Sequence, residues 1–178
     1  MLLVKSLAKA LEDGDSIRAV IRGTAVNQDG RTPGINLPST FAQERLIRSA
    51  YKDAGLDFSE TGYFEAHGTG TAAGDPLETA AVGRVFAESR DPSHPLYIGS
   101  IKTNIGHLEG GAGLAGLVKA LYILENGQIP PNLWLEKVNP KIDLAGWKLA
   151  VSIAIFSIAG AYAYTIADSH FTDPLAYE

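Results

Sequence analysis

Strand and helix signals alternate along this chain, and that alternation predicts an α/β fold with a parallel sheet. Short runs rich in β-branched and aromatic residues occur at 17–22, 62–66 and 96–101. Helical patterns fill the intervals, at about 39–54, from 75 to just before Asp91-Pro92, and at about 110–125. Turn residues separate them, so each element has a readable start or stop.

The first strand is expected at Ile17-Arg18-Ala19-Val20-Ile21-Arg22, where apolar and charged residues alternate. Asn27-Gln28-Asp29-Gly30 through Thr32-Pro33-Gly34 reads as a turn-rich loop. In the first long helix, Thr40 and Gln43 fit a capping box, and Gly55 fits the left-handed residue that ends a helix. Residues 62–66 form the second strand. The next helix has Asp75 as the expected N-cap, Pro76 at the first helical position and Glu78 two residues further on, so both carboxylates are assigned to capping. Leu96 to Ile101 gives the third strand. The last helix is apolar nearly all round, with Lys119 its one charge before Glu125, and is expected to be buried on most sides. Asn126-Gly127 is its stop, and Trp134 and Trp147 read as packing anchors.

Composition narrows the functional classes. The chain has 178 residues, 46% of them apolar and 20% charged, which suits one globular domain or part of one. A net charge of −5 with no run of Lys and Arg argues against nucleic acid as a partner. The chain contains no cysteine, so it offers no disulfide, no thiolate metal ligand and no thiol nucleophile of its own. Lys5 and Lys9 interrupt any apolar run at the start, against a signal peptide. From Leu149 to Ala167 no residue is charged, which is about the length of a membrane span, although Ser152, Ser157, Gly160, Tyr162, Tyr164 and Thr165 break its hydrophobicity. The reading therefore divides the chain into a domain at 1–150 and an apolar tail at 151–178.

Two loops carry the chemistry. Glu65-Ala66-His67-Gly68-Thr69-Gly70-Thr71 and Lys102-Thr103-Asn104-Ile105-Gly106-His107 each follow a predicted strand and each hold a histidine among small residues. Ligand sites in parallel sheets lie at the carboxyl ends of strands. If the two strands are neighbours, both imidazoles open onto one rim. No third ligand stands at useful spacing near either histidine, so no metal site is expected. Lys102 alone would read as a surface charge, and Thr69 and Thr71 as hydroxyls satisfying turn N–H groups.

Longer motifs give a more specific reading. Residues from about 2 to 150 resemble the C-terminal half of a β-ketoacyl synthase, of the kind found in fungal iterative, highly reducing polyketide synthases. The matching stretches are Arg22-Gly23-Thr24-Ala25-Val26-Asn27-Gln28-Asp29-Gly30, the His67 loop, Gly74-Asp75-Pro76-Leu77-Glu78, and Ser100 through Gly110. Pro130-Pro131-Asn132, Asn139-Pro140 and Gly146-Trp147-Lys148-Leu149 also fit, in the family's order.

The resemblance implies the C-terminal half of a thiolase-like fold, with the 110–125 helix as a central buried helix. It implies condensation of an acyl unit with a malonyl unit carried on an acyl carrier protein. By the same resemblance His67 and His107 are the catalytic histidines, Lys102 fixes the surroundings of the second, and Thr69 and Thr71 bind the phosphopantetheine arm. No cofactor is expected beyond that arm. The expected partners are the carrier protein, an N-terminal ketosynthase half bearing the nucleophilic cysteine, and a second copy in a homodimer, in the cytoplasm. The chain departs from the family pattern in having no such cysteine and no Gly-Phe-Gly-Gly-Thr-Asn-type loop after residue 150. Residues 151–178 are accordingly expected to be unrelated to the family, as a mis-spliced or membrane-like segment. The resemblance leaves two other readings: a pantetheine-binding module without condensation, and a non-functional truncated product.

Overall fold

The computed structural model describes residues 1–34, 37–157 and 162–165, the last group by backbone alone. In chain order the elements are α1 (Leu7–Glu12), α2 (Thr40–Ala54), β1 (Thr61–Glu65), α3 (Gly74–Phe86), β2 (Leu96–Gly99), α4 (Lys102–Ile105), α5 (Ala112–Asn126), β3 (Gln128–Ile129), β4 (Leu149–Val151), β5 (Phe156–Ser157) and β6 (Tyr162–Thr165). Four of the strands form one parallel sheet in the order β4-β2-β1-β6, and β3 pairs with β5 in a small antiparallel ladder.

The central strand β1 is buried on both faces, as a parallel sheet requires. Its alternation sends Phe64 to one side, where it packs with Ile47 and Tyr51 of α2, Val82, Val85 and Phe86 of α3, and Leu96, Ile98 and Leu149. Tyr63 points the other way and packs with Ile123 of α5 and with Ile129. The sheet is thus the middle of three layers, with α2 and α3 on one face and α5 on the other. Tyr51, Phe58, Phe64 and Phe86 meet in a chain of tilted and edge-to-face ring contacts with centroids 4.8 to 5.9 Å apart.

The three long helices α2, α3 and α5 fall where the sequence places them, with differences at their ends, whereas α1 was not expected and α4 lies in a segment expected to be loop. Ser39, rather than Thr40, caps α2, accepting a hydrogen bond from the Ala42 N–H at 3.2 Å. Gly55 ends that helix in the left-handed conformation. The α3 carboxylates do not cap their own helix. The Thr71 hydroxyl accepts from the first helical N–H, that of Gly74, while Asp75 and Glu78 bond back to the preceding loop. The tertiary loop competes for these carboxylates and takes them.

Three expectations are corrected. Residues 17–22 form no strand; Ile17, Val20 and Ile21 are exposed, and Arg18 instead pairs with Glu125. Alternation supplies a face, but a strand also needs a neighbour to bond. Helix α5 is buried on one side only. Ala112, Gly116, Lys119, Ala120 and Ile123 face inward, while Leu114, Val118 and Tyr122, spaced at i, i+4 and i+8, lie on the exposed side. Trp147 packs on the core as expected, but Trp134 is 88% exposed.

The described part of the stretch after residue 150 enters the sheets. Val151 pairs with Ile98, Phe156 with Ile129, and Tyr162 to Thr165 run parallel to β1. Among the described residues no helix is long and apolar enough to cross a membrane. Where the Leu149–Ala167 stretch is described it contributes strands; the rest of it, and His170, lie outside the described residues.

Candidate active site

β1 and β2 are adjacent and parallel, with Glu65 opposite Gly99, so the two loops leave the sheet side by side. The Ala66 N–H continues the ladder to the Gly99 carbonyl at 2.7 Å. Beyond it, the Ser100 hydroxyl donates to the His67 carbonyl at 3.2 Å. Gly68 has a left-handed φ of +51°, and a Cβ there would sit 2.7 Å from the Ser100 Cβ. Only glycine allows the loops this close approach. The result is an edge-to-face pair of imidazoles: the His67 and His107 rings have centroids 5.5 Å apart at 88°.

Each histidine is held from behind. Glu78 is buried under the first loop, and its two oxygens accept from the His67 N–H at 2.7 Å and the Gly68 N–H at 2.9 Å. Burial raises the Glu78 carboxyl above its ordinary value; the two N–H bonds and the positive charge of Lys102 oppose that rise, while Asp75 adds to it. His107 is fixed through its ring, whose Nδ1 accepts the Glu109 N–H at 2.9 Å. A backbone N–H can only donate, so Nδ1 carries no proton and Nε2 is the ring's N–H donor. The Glu109 carboxylate, 4.0 Å from Nδ1, belongs to a side chain 90% exposed and adds little through water.

Lys102 opens α4, its N–H bonded to the Ser100 hydroxyl at 3.3 Å, and it lines a small cleft with Glu65, Ala66, His67, Ala112, Gly113 and Gly116. Thr69 and Thr71 lie on the rim; the Thr69 hydroxyl donates to that of Thr71 at 3.4 Å, and Thr71 accepts from Gly74 N–H at 3.1 Å. The five residues singled out from sequence therefore fall along one edge of the sheet. Among the described residues no group of three His, Asp or Glu side chains could hold a metal ion.

Sequence reasoning missed three supporting residues. Asn132, buried after the Pro130-Pro131 turn, accepts the Ser100 N–H at 3.2 Å. Glu65 and Lys119 form an ion pair 3.0 Å apart beneath the cleft, both about 2–4% exposed. A single lysine in an otherwise apolar helix was the signal for the pair. Asn132 had no signal beyond its place in a motif.

The match to known proteins is direct. Residues 18–136 fit the family described as beta-ketoacyl synthase, C-terminal domain. This chain belongs to that family. As a ketosynthase segment it is 50% identical to reducing polyketide synthase FUB1 of Gibberella moniliformis over 184 residues, covering 96% of this chain and 8% of that protein. That alignment reaches past residue 150. It is 56% identical over 154 residues to the highly reducing polyketide synthase tstA of Talaromyces stipitatus, covering 86% of this chain and 6% of that one. The chain thus spans less than a tenth of the length of these relatives. Among solved structures, the oxazolomycin ketosynthase domain OzmH KS7 of Streptomyces albus matches with a TM-score of 0.84 at 37% identity, over 90% of this chain and 29% of that domain. A ketosynthase from module 6 of the bacillaene synthase of Bacillus subtilis matches with a TM-score of 0.82 at 36% identity, over 87% of this chain and 28% of that one. The α/β architecture is therefore that of the C-terminal part of a ketosynthase domain.

Proposed function

We propose that this segment supplies the two histidines of a decarboxylative Claisen condensation between acyl and malonyl thioesters. The observation that carries the reading is the pairing of the His67 and His107 rings, 5.5 Å apart at the ends of neighbouring parallel strands. In the proposed reaction the malonyl thioester loses carbon dioxide, and its electron pair passes to the thioester as an enolate. His67 and His107 donate hydrogen bonds to the thioester oxygen as that charge develops, His107 through Nε2. The enolate carbon then attacks an acyl group held on a cysteine, and the thiolate leaves. Fixed donors aimed at developing charge are worth about 3–4 kcal/mol each.

Lys102 is assigned to the electrostatics around His107, and Thr69 and Thr71 to the phosphopantetheine arm of an acyl carrier protein. The chain contains no cysteine, so the nucleophile is assigned to a separate ketosynthase segment. A homodimer and a cytoplasmic setting complete the proposal. By itself the chain is expected to form no acyl-enzyme.

The test supplies a cysteine-bearing ketosynthase N-terminal half alongside this chain, with labelled acyl and malonyl carrier proteins. A β-ketoacyl product is expected from the pair and from neither part alone. His67→Ala and His107→Ala are each expected to lower malonyl decarboxylation by about 100- to 1000-fold. Activity within a few-fold of the unsubstituted pair in either variant would remove the role assignment. A covalent acyl group on this chain alone would contradict the assignment of the nucleophile elsewhere.

A further inference from the structure

Buried ion pairs seldom stabilise a fold more than well-packed apolar side chains of the same volume. A buried pair beneath the cleft therefore calls for another account. Glu65 ends β1, two residues before His67. Its Oε1 accepts the Ile101 N–H at 2.6 Å, reaching across to the second loop. Its Oε2 accepts the Tyr63 hydroxyl and lies 3.0 Å from Lys119 Nζ of α5. The lysine contact lacks hydrogen-bond alignment and acts as charge balance; the Lys119 ammonium also stands 5.2 Å from the Tyr63 ring centroid. One carboxylate thus joins three elements.

Its reach into the second loop ends at a rigid turn. The Ile101 carbonyl accepts from Asn104 and Ile105 N–H, and the Lys102 carbonyl from Gly106 N–H, so Ile101 to Gly106 move as one turn of helix leading into His107. Fixing the Ile101 N–H fixes where that turn starts. We propose that Glu65, charge-balanced by Lys119, is a positioning residue that sets the Lys102–His107 loop against His67 through its bond to the Ile101 N–H. Neither Glu65 nor Lys119 touches the reacting atoms in this scheme. The proposal rests on the ketosynthase reading for its consequence, and on the described geometry for its mechanism.

Two double variants isolate the bond. Both remove the charge pair, so neither leaves a lone buried ion. Glu65→Gln with Lys119→Met keeps a carbonyl oxygen for the Ile101 N–H; Glu65→Ala with Lys119→Met does not. In this chain, amide hydrogen exchange at Ile101, referred to Ile98 of β2, is expected to be about tenfold faster in the alanine variant than in the glutamine variant. In the enzyme assembled with a cysteine-bearing half, kcat for malonyl decarboxylation is expected to be about tenfold lower in the alanine variant, with KM within about threefold, since small misplacements cost rate more than binding. Equal exchange at Ile101 in the two variants would overturn the mechanism. Equal kcat values in an active assembled enzyme would overturn the positioning role. If the unsubstituted assembly does not condense, the ketosynthase reading fails, while the exchange comparison still decides whether Glu65 sets the loop.

Discussion

Glu78 places a carboxylate against the N–H groups of His67 and Gly68, with one oxygen for each. An amide at this position has one acceptor oxygen and turns its NH2 toward the other donor. Glu78→Gln is expected to cost about 1–3 kcal/mol, the usual cost of leaving a buried donor without an acceptor. The substitution also changes pH dependence. The folded carboxyl titrates above 4.5 because burial disfavours its charge. The folded state therefore binds that proton more readily than the unfolded chain does. Its contribution is fully present below 4.5 and is lost as pH rises through the folded value. Urea midpoints of the parent and the variant across mildly acidic to neutral pH should show the parent's advantage shrinking as pH rises; an advantage that grows would contradict the burial argument. The histidines were legible because a strand followed by small residues marks a rim. Glu78 was read as a cap because its spacing from Asp75 fits one, and spacing alone does not reveal a loop folded over the carboxylate.

Elements carry their own tests. A Cβ on Gly83 of α3 would lie 2.5 Å from Cγ and 2.6 Å from Cε3 of Trp147. Alanine would gain about 1 kcal/mol of helix propensity there, but overpacking costs about 1–3 kcal/mol. Three ring atoms of one rigid indole face the new methyl, so the clash should win. Gly83→Ala is expected to lower the thermal midpoint followed by circular dichroism, and a raised midpoint would mean that Trp147 yields freely. Ser39→Ala should lose about 1 kcal/mol from α2 through its N-cap bond. The three long helices were legible from periodicity and stop signals. The 17–22 segment misled because alternation describes a face without naming a partner. β5 and β6, of 2 and 4 residues, are too short for alternation to separate them from an uncharged run.

At the scale of the whole molecule, the sheet is covered by α2 and α3 on one face and by α5 on the other, but α5 has an uncovered outer side. Leu114, Val118 and Tyr122, with Ile105 and Leu108, border a groove of about 530 Å³. Exposed apolar patches of this kind drive association. Leu114→Lys with Val118→Glu is expected to reduce light scattering by this chain, while leaving its melting within about 0.5 kcal/mol per site, as is usual at exposed positions. Unchanged scattering would place the sticky surface elsewhere. The fold class was legible because strands and helices alternate. The exposed side of α5 was not, because an apolar helix reads as buried whether or not its cover is present.

The strand order also says when the sheet can be completed. β1 and β2, the inner pair, come from residues 61–99, whereas both flanking strands, β4 and β6, come from after residue 148. Glu65 waits for Thr165, its partner 100 residues later in the chain. At a synthesis rate of about 5–20 residues per second, the interval is about 5–20 s. Between Gly99 and Leu149 only the two inner strands of this sheet exist, and the edge of β1 that awaits β6 stays open to wrong partners until residues 162–165 are made. The sheet is finished from its centre outward, so the pairing of β6 with β1 is expected to be slower and more error-prone than that of β1 with β2.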